Sequence, residues 1–352
     1  MKCLFLSAKR YSINNSLIRG FNDNGWSISV VDYEDFFPNA VNRYMTKSAF
    51  LPNRIRSVWT EPYLSRINRR YLDIFRETDP DLVLIYNNQL INPSALKEMK
   101  GSAAVAFFLG DNPLYSPTSI YNTELLRYAD YIIAPDSFWR EQLEKMGIGN
   151  IVVDFLGFDD SVYYPFTPSA NQLKLYGSDF IYIGHAHRSG WGYKRFLFLN
   201  HFAAFDLRAY MAGSGYSDYF SHLFPELADR VVAPARNELY SQQFNNLIYN
   251  CSKIGPVELV PSYFNGIHPR TFDLLGSGVV PLCEASADLI ELFKGIDVPF
   301  IYDYGEIQEK ASFLLQNSTL RAGLATSMRE RVIGRHHPSL VAGRLIDTVF
   351  KR

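Results

Sequence analysis

The chain lacks the features that define disulfide-rich secreted proteins and nucleic-acid-binding proteins. Its 352 residues include only three cysteines, which are widely scattered and form no CxxC pair. This pattern predicts neither a disulfide framework nor a zinc site, and it fits a reduced, cytoplasmic compartment. The formal net charge of −1 lacks the basic balance of a nucleic-acid binder, so we expect no nucleic-acid partner.

Long apolar runs are missing as well. No stretch approaches the roughly 18 uninterrupted apolar residues of a membrane span. The apolar run after Met1 is too short for a signal peptide, and we interpret it as the first strand of a sheet. The sequence also contains no internal repeat and no low-complexity tract.

The composition that remains is that of a globular protein. Hydrophobic residues make up 47% and charged residues 20% of the chain, and the length is sufficient for two domains. Aromatic residues reach 15%, which is compatible with stacking surfaces for sugars or bases, although an aromatic-rich core accounts for most of them.

Apolar runs alternate with helical patterns along the whole chain. In the first half, strands are predicted at Lys2–Ser7, Ser27–Asp32, Asp81–Tyr86, Ala103–Leu109, Tyr131–Ala134 and Asn150–Phe155. In the second half, they are predicted at Phe180–Ile183, Leu207–Met211, Val257–Val260, Val279–Leu282 and Phe300–Tyr302. Such apolar strands separated by helices predict parallel sheets covered on both faces, and the stretch Tyr163–Gly177 is the predicted interdomain linker.

The segment from Tyr263 to Glu284 contains the most informative pattern. It predicts a loop, a helix beginning near Pro269, a glycine turn and a strand. A helix start can bind an anion, and His268 and Arg270 add polar groups beside it. These residues alone leave two interpretations open with equal weight, namely a ligand site and an ordinary helix-to-strand connection.

This segment resembles the donor-binding signature of group 1 glycosyltransferases with the GT-B fold. It is most similar to the CgeB-like family through the run Arg270-Thr-Phe-Asp-Leu-Leu-Gly-Ser-Gly278. Asp179-Phe-Ile-Tyr-Ile-Gly184, followed by Arg195, resembles the first strand and diphosphate loop of that family. Arg335-His-His337 resembles its closing segment, and Gly110-Asp-Asn-Pro113 resembles its Asp–Asp–Pro element.

The resemblance implies a domain organisation. The expected fold is α/β, GT-B, with two Rossmann-like parallel-sheet domains facing across a cleft. Residues 1–165 would form the acceptor-binding domain and residues 166–335 the nucleotide-sugar-binding domain. Residues 336–352 would form a C-terminal helix that packs back on the N-terminal domain.

The resemblance also implies an activity. It predicts a metal-independent glycosyltransferase that moves a sugar from a nucleoside-diphosphate sugar to an acceptor hydroxyl, in glycan, polysaccharide or glycoconjugate synthesis. No cofactor is expected, since the nucleotide sugar is a substrate, and UDP, dTDP and GDP are not distinguished. The acceptor could be a glycan, a lipid-linked molecule or a protein.

The residues that the resemblance assigns to the donor come mainly from the C-terminal half. They are Gly184, Arg188, Arg195, Asn265, Gly266, His268, Arg270 and Asp273. Group 1 enzymes usually carry two glutamates separated by seven residues, and here Asn265 and Asp273 take those places. Asp273 can still accept hydrogen bonds from a ribose diol, whereas Asn265 can offer only a neutral hydrogen-bonding group.

Two residues are candidates for catalysis. Asp111 follows a predicted strand and could act as the general base on an acceptor hydroxyl, or it could merely shape the Asp-Asn-Pro turn. His185 follows another strand and is expected near the phosphates or the sugar. It forms an H-x-H pair with His187, but no matching carboxylate or cysteine cluster predicts a metal site.

A basic stretch lies in the first half of the chain. Between residues 43 and 70 there are seven basic residues and one acid, Glu61, with Phe50, Trp59 and Tyr63 interleaved. This composition is compatible with peripheral contact to an anionic membrane carrying a lipid-linked acceptor, or with a solvated helix face. The basic residues are Arg43, Lys47, Arg54, Arg56, Arg66, Arg69 and Arg70.

Two other functions remain alternatives. A sugar-nucleotide epimerase can share this fold, but it needs acid/base residues on both sides of the sugar, and no such pair is evident. A degenerate, non-catalytic homologue is favoured slightly by Asn265, whereas retention of Arg195, Arg270 and Asp273 argues against it.

Overall fold

The chain divides into two compact units in a computed structural model. The structure describes residues 1–9, 11, 13–48, 52–87, 90–114, 121–187, 190–212, 218–233, 238 and 241–350. Unit 1 comprises Met1–Phe155 and Pro338–Arg352, and unit 2 comprises Leu156–His337. The predicted linker Tyr163–Gly177 therefore lies inside unit 2, where it includes a helix at Ala170–Tyr176 that Ser169 caps.

Unit 1 contains a six-stranded parallel sheet in the order β2-β1-β3-β4-β5-β6. Its strands are β1 (Lys2–Leu6), β2 (Ser27–Val31), β3 (Leu82–Tyr86), β4 (Ala104–Phe108), β5 (Tyr131–Ala134) and β6 (Ile151–Val153). The first helices are α1 (Ile13–Asp23), α2 (Asn39–Ser48), α3 (Asn53–Thr78), α4 (Pro93–Lys100), α5 (Tyr121–Leu125) and α6 (Ser137–Lys145), with 3-10 turns at Tyr33–Phe36 and Leu126–Tyr128. The central strands are buried almost completely, as expected for a sheet covered on both faces.

Unit 2 contains a five-stranded parallel sheet in the order β11-β10-β7-β8-β9. Its strands are β7 (Ser178–His185), β8 (Leu207–Ala212), β9 (Val231–Val232), β10 (Ser252–Val257) and β11 (Val280–Cys283). Its helices are α7 (Ala170–Tyr176), α8 (Gly190–Asn200), α9 (Asp218–Leu223), α10 (Pro225–Ala228), α11 (Gln242–Asn250), α12 (Arg270–Gly276), α13 (Ala287–Leu292), α14 (Ile307–Gln316) and α15 (Ser318–His336), with a 3-10 turn at Tyr304–Glu306. Both sheets are thus Rossmann-like, as the sequence predicts.

Two strand predictions in unit 2 are wrong. The strand predicted at Val257–Val260 is β10, which ends at Val257, so Glu258 follows the strand instead of lying within it. Glycine and proline in Ser252–Val257 obscure the strand in the sequence. Gly255 is needed there because a Cβ atom would lie 2.2 Å from the Leu274 side chain. The strand predicted at Phe300–Tyr302 is only an isolated bridge from Ile301 to Glu284.

The last helix, α16 (Pro338–Phe350), belongs to unit 1 and packs against α1. The backbones approach closely at Gly20, where a Cβ atom would lie 2.5 Å from the carbonyl oxygen of Pro338. Arg344 then donates from Nε and Nη2 to the carboxylate of Asp154, over 2.7 to 2.9 Å. A bidentate charged pair of this kind fixes the orientation of the helix as well as its position.

The strand orders locate the points where each sheet reverses direction. In unit 2 the chain runs outward through β7, β8 and β9 and then returns to the other side of β7 as β10. The carboxyl ends of β7 and β10 therefore flank a topological switch point, where open α/β sheets bind ligands. In unit 1 the corresponding point lies between β1 and β3. None of the described helices is long and apolar enough to cross a membrane.

Candidate functional site

Three charged side chains converge at the switch point of unit 2. Glu258 follows β10, Arg195 projects from α8, and Arg270 begins α12. Arg195 donates from Nε to Oε1 of Glu258 at 2.6 Å, and Arg270 donates from Nη1 to Oε2 at 3.0 Å. Each oxygen of the carboxylate thus accepts a charged hydrogen bond from a different arginine. We call these three residues the buried arginine–glutamate cluster.

The main chain of β7 holds the two guanidinium groups from their other side. Arg270 donates from Nε to the carbonyl oxygen of Ile183 at 2.8 Å, and Arg195 donates from Nη1 to the carbonyl oxygen of His185. The hydroxyl group of Tyr182 donates to Oε1 of Glu258 at 2.8 Å and accepts from Nη2 of Arg270 at 3.1 Å. The Arg270 guanidinium also lies over the Tyr182 ring, 4.1 Å from its centroid.

The cluster is almost completely removed from water. Arg195, Arg270 and Glu258 are 5%, 6% and 2% exposed. Burial alone would raise the pKa of Glu258, but the adjacent guanidinium groups of Arg270 and Arg195 outweigh burial and lower that pKa. Glu258 is therefore ionised, and a buried charge of this kind is tolerated only because its partners are in place.

Gly184 leaves the space that the cluster occupies. A Cβ atom at this position would lie 2.8 Å from the Tyr182 ring and 3.2 Å from Nη2 of Arg270. The sequence predicts that Gly184 contributes backbone to a diphosphate loop. The structure shows that its lack of a side chain accommodates Arg270 and Tyr182.

His268 lies beside the cluster as a neutral donor. Burial, with a further contribution from Arg270, lowers the pKa of His268 well below its usual value, so the imidazole is uncharged near neutral pH. Its Nδ1 atom accepts a hydrogen bond from the Arg270 N–H at 3.1 Å. The remaining proton therefore lies on Nε2, which can donate to an oxygen atom.

The start of α12 differs from the predicted anion site. The helix begins at Arg270 and is only seven residues long. Its first N–H groups are already used, since Arg270 donates to Nδ1 of His268 and Thr271 donates to the carbonyl oxygen of His268 at 2.9 Å. The side chains of His268 and Arg270, instead of free N–H groups, are what this segment offers to a ligand.

Asp273 lies one turn further along α12 and is half-buried. Burial raises the pKa of its carboxyl group to about 7, although Arg270 and a hydrogen bond with Tyr163 act in the opposite direction. The carboxyl group is therefore partly protonated near neutral pH. A ligand that donates hydrogen bonds to it would favour the ionised form.

The other predicted donor residues are arranged around the same loop. Asn265 is half-buried, and its carbonyl oxygen accepts from the N–H of Asp288 at 2.9 Å. Gly266 is buried, and its carbonyl oxygen accepts from the hydroxyl group of Ser286 at 2.9 Å. Arg188 lies outside the described residues.

His185 lies at the end of β7 and is exposed, with its ring centroid 6.1 Å from that of His187. Burial and the nearby Arg195 lower the pKa of His187. Across the described part of the chain, no group of three or more His, Cys, Asp or Glu residues could hold a metal ion.

A second ion pair lies at the end of the neighbouring strand. Lys194 donates to Oε2 of Glu284 at 2.8 Å and to the carbonyl oxygen of Leu259 at 2.6 Å. The N–H of Leu259 donates to the same carboxylate at 2.7 Å. These bonds fix the main chain directly after Glu258.

Asp111, the predicted base, lies in unit 1 and follows the carboxyl end of β4. It is exposed, but neighbouring groups desolvate its carboxyl group enough to raise its pKa. The side chain of Asn87 donates to Oδ2 of Asp111 at 2.9 Å and accepts from the Asp111 N–H at 3.1 Å. Gly110 permits this approach, since a Cβ atom there would lie 2.9 Å from Oδ1 of Asn87 and 2.1 Å from the hydroxyl oxygen of Tyr86.

Sequence reasoning missed three residues that organise these sites, namely Glu258, Tyr182 and Asn87. Glu258 does not stand out in the sequence because the predicted strand at Val257–Val260 includes it, whereas β10 ends at Val257. An acidic residue directly after a buried strand is the signal that a correct boundary would have given. A tyrosine inside an apolar strand and an asparagine after one are common, so neither Tyr182 nor Asn87 stands out.

A cavity of about 500 Å³ lies elsewhere in unit 2. It is beside the first residues of β8, with Asp206, Arg208 and Arg230 among its lining residues. This is the amino end of the strand, whereas the buried arginine–glutamate cluster lies at the carboxyl end of the sheet. The cavity is therefore separate from the predicted donor site.

Residues 188–347 match the sequence profile of the glycosyl transferase-like family. The matched region contains Arg195, Glu258 and Arg270, which form the cluster. No curated protein matches the chain.

Solved structures share the fold over their whole length. The sucrose-phosphate synthase of Thermosynechococcus elongatus is 11% identical with a TM-score of 0.70, and the match covers 100% of this chain and 99% of the synthase. The HepE protein of Anabaena, in complex with UDP-glucose, is 14% identical with a TM-score of 0.63 and 100% coverage of both chains. The chain has a GT-B fold, and its residues 188–347 match the glycosyl transferase-like family.

The fold alone does not distinguish glycosyl transfer from other reactions. A Listeria monocytogenes protein provisionally assigned as a UDP-N-acetylglucosamine 2-epimerase is 12% identical with a TM-score of 0.59, and the match covers 100% of this chain and 97% of that one. The domain match favours a glycosyltransferase over an epimerase. The chemistry of the site is needed to distinguish the two reactions further.

The raised pKa of Asp273 predicts how the stability of the protein depends on pH. Because the folded carboxyl group binds its proton more tightly than the unfolded one, its contribution is fully present below about pH 4 and is lost as the pH rises through about 7. Asp273→Asn removes this titration. We expect the unfolding free energy of the variant, relative to the wild type, to rise by about 2 kcal/mol between about pH 5.5 and about pH 8.5.

Denaturant unfolding at both pH values measures this difference. The comparison with the wild type cancels the other titrating groups. A constant difference across the range would contradict the assignment of the raised pKa to Asp273.

Proposed function

We propose that the protein transfers a sugar from a nucleoside-diphosphate sugar to an acceptor hydroxyl without a metal ion, in glycan, polysaccharide or glycoconjugate synthesis. The observation that carries the proposal is the buried arginine–glutamate cluster at the switch point of the unit 2 sheet. Its geometry and charge suit the diphosphate that leaves in such a reaction.

The charges of the cluster do not balance. Arg195 and Arg270 contribute two positive charges, Glu258 contributes one negative charge, and His268 is neutral. Asp273 adds a full negative charge only above its pKa of about 7. An excess of buried positive charge is unfavourable without a partner, and an anionic ligand supplies one.

Glycosyl transfer develops negative charge on the leaving diphosphate as the bond to the anomeric carbon breaks. Positive groups that are already in place stabilise this charge without reorganisation. The cluster provides fixed positive charge, and His268 provides an Nε2–H donor. The eleven-residue helix α8 begins at Gly190, after the carboxyl end of β7. The positive end of its dipole therefore lies at the same edge of the sheet as the cluster. Together these groups replace a bridging cation.

The HepE complex with UDP-glucose supports the class of donor. That protein shares the fold and binds a nucleotide sugar. UDP, dTDP and GDP carry the same diphosphate, so contacts with the cluster alone do not distinguish these three nucleotides. We assign the nucleotide sugar as a substrate, and no cofactor enters the reaction.

Asp111 is the proposed general base. Asn87 fixes its carboxylate, and the raised pKa brings that group closer to the range in which a base works well. The acceptor is a glycan, a lipid-linked molecule or a protein. The resemblance of Arg270–Gly278 supports a CgeB-like subfamily, and the three free cysteines, all buried, support a cytoplasmic location.

The direct test is turnover of UDP-, dTDP- and GDP-sugars in EDTA, with and without a panel of acceptors. We expect release of nucleoside diphosphate that depends on acceptor and persists after chelation, because protein groups neutralise the diphosphate. Chromatography of the products measures both the transfer and the nucleotide released.

The other outcomes of the same assay identify the alternatives. Interconversion of sugars without an acceptor would indicate an epimerase, and absence of any turnover would indicate a non-catalytic homologue. Loss of activity in EDTA that magnesium or manganese restores would refute the metal-independent mechanism.

Arg270 and Asp273 contribute to different parts of the nucleotide in this proposal. Arg270→Ala should weaken binding of nucleoside diphosphates by about 1.5–3 kcal/mol, the usual scale for a hydrogen bond to a charged group. Asp273→Ala should weaken binding of ribonucleotides but leave binding of pyrophosphate unchanged, because the lost contact is to the ribose. Titration calorimetry measures both effects.

A suitable control is Arg331→Ala, because Arg331 donates to the carbonyl oxygens of Leu292 and Lys294 and lies in α15. It should leave nucleotide binding unchanged. Equal affinity in all three variants would show that Arg270 and Asp273 are only structural.

Asp111→Asn should lower kcat on the order of a hundredfold or more while donor affinity is kept, because the amide cannot accept the proton. Steady-state kinetics with saturating donor measures this change. Asp81→Asn is the matched control, since Asp81 precedes β3 at the opposite edge of the same sheet and accepts from the Lys2 N–H at 2.7 Å. An unchanged kcat for Asp111→Asn would leave Asp111 as a turn residue.

Membrane contact is proposed for residues 43–70. Helix α3 exposes Ile55 and Val58, and α2 exposes Tyr44, whose ring packs against Trp59. Tyr63 is buried and so cannot contribute. The same two helices also expose basic residues. Phe50 lies outside the described residues. The exposed basic residues are Arg43, Arg54, Arg66, Arg69 and Arg70.

Apolar groups next to basic ones match an anionic lipid surface. We expect the protein to sediment with vesicles containing phosphatidylglycerol and not with phosphatidylcholine vesicles. The double variant Ile55→Ser with Val58→Ser should reduce the bound fraction severalfold. Absence of sedimentation at low salt would reject membrane contact through this stretch.

A further inference from the structure

Glu258 accepts hydrogen bonds from both arginines of the cluster, one at each carboxylate oxygen. Oε1 accepts from Nε of Arg195, and Oε2 accepts from Nη1 of Arg270. Without this carboxylate, the two positive groups would lie side by side with no negative charge between them. Like charges in a buried site repel strongly, so the two guanidinium groups would separate.

The arginines come from two different helices, α8 and α12, and an arginine side chain is long and has many rotamers. Carbonyl oxygens of β7 hold one edge of each guanidinium, and Glu258 holds another. Two anchors on a planar group fix its orientation as well as its location. The N–H groups that remain then point in fixed directions.

We propose that Glu258 is a positioning residue, which holds Arg195 and Arg270 in the arrangement that binds the diphosphate of the donor. This inference rests on the proposed function. Glu258 is negatively charged and does not itself bind the anion. It acts through the two guanidinium groups, and Tyr182 supports it by bonding to Oε1 and to Nη2 of Arg270.

The proposal makes a prediction opposite to that of simple electrostatics. Removing a negative charge beside an anion site should tighten anion binding if only the summed charge matters. If Glu258 positions the arginines, its removal should weaken binding although the site becomes more positive. The sign of the change in affinity therefore separates positioning from charge.

Glu258→Gln is the decisive variant. Its amide retains the shape but can accept through only one oxygen, and its NH₂ group faces an arginine donor. We expect its affinity for inorganic pyrophosphate and for UDP or GDP to fall at least tenfold in titration calorimetry, and kcat for the sugar nucleotide to fall as well. Circular dichroism and thermal unfolding establish the temperature range in which the variant is folded.

Tyr182→Phe provides a second, milder variant. It removes one hydroxyl group and keeps every charge and the ring beneath Arg270. We expect a severalfold loss of pyrophosphate affinity with a smaller loss of stability. This variant keeps the test decisive if Glu258→Gln does not fold.

Asp154→Asn is the matched control. It disrupts the pair between the buried carboxylate of Asp154 and Arg344 in unit 1. This variant should lower the unfolding temperature without changing pyrophosphate affinity. A general effect of instability would lower affinity in this variant too.

The outcomes separate the positioning role from the proposed function. Unchanged or tighter pyrophosphate binding by Glu258→Gln and Tyr182→Phe, in a protein whose wild type binds nucleotide, would overturn the positioning role alone. A wild type that binds neither pyrophosphate nor any nucleoside diphosphate would overturn the proposed function, and the positioning role with it.

Discussion

Two arginines and one glutamate share a site from which water is almost absent, and their mutual placement constrains the elements around them. Glu258 is fixed by the end of β10, whereas Arg195 and Arg270 arrive from α8 and α12. Breaking such a pair leaves a buried charge uncompensated, which typically costs about 3–5 kcal/mol. The end of β7 must then present its carbonyl oxygens and the small Gly184 in register with the arginines. The proposed donor site is thus built by an electrostatic constraint on four elements.

Much of this arrangement could be predicted from the sequence. Apolar runs predict the buried strands of both sheets except β10, because strands covered on both faces need continuous hydrophobic side chains. Arg195, Arg270 and Asp273 were identified through a resemblance, and the structure brings Arg195 and Arg270 to the switch point of the unit 2 sheet. Their direct partners were not predicted, since hydrogen bonds between distant segments leave no periodic signal.

The errors have identifiable physical causes. Gly255 and Pro256 hide β10 in the sequence because both residue types are depleted in strands, although the packing of Leu274 requires a glycine at position 255. Glu258 was consequently placed inside a strand. Burial raises the pKa of Asp273, and part of the opposing effect comes from a hydrogen bond with Tyr163, which lies far away in the sequence. The geometry of Asp111 depends likewise on Asn87, which follows the neighbouring strand β3.

We propose that the buried arginine–glutamate cluster binds the diphosphate of a sugar nucleotide. A crystal structure with a bound nucleoside diphosphate tests it most directly. We expect phosphate oxygens within hydrogen-bond distance of Arg195, Arg270 or Nε2 of His268 and near the start of α8, with the ribose at Asp273. A nucleotide bound elsewhere, for example in the cavity beside Arg208 and Arg230, with the cluster untouched, would contradict it.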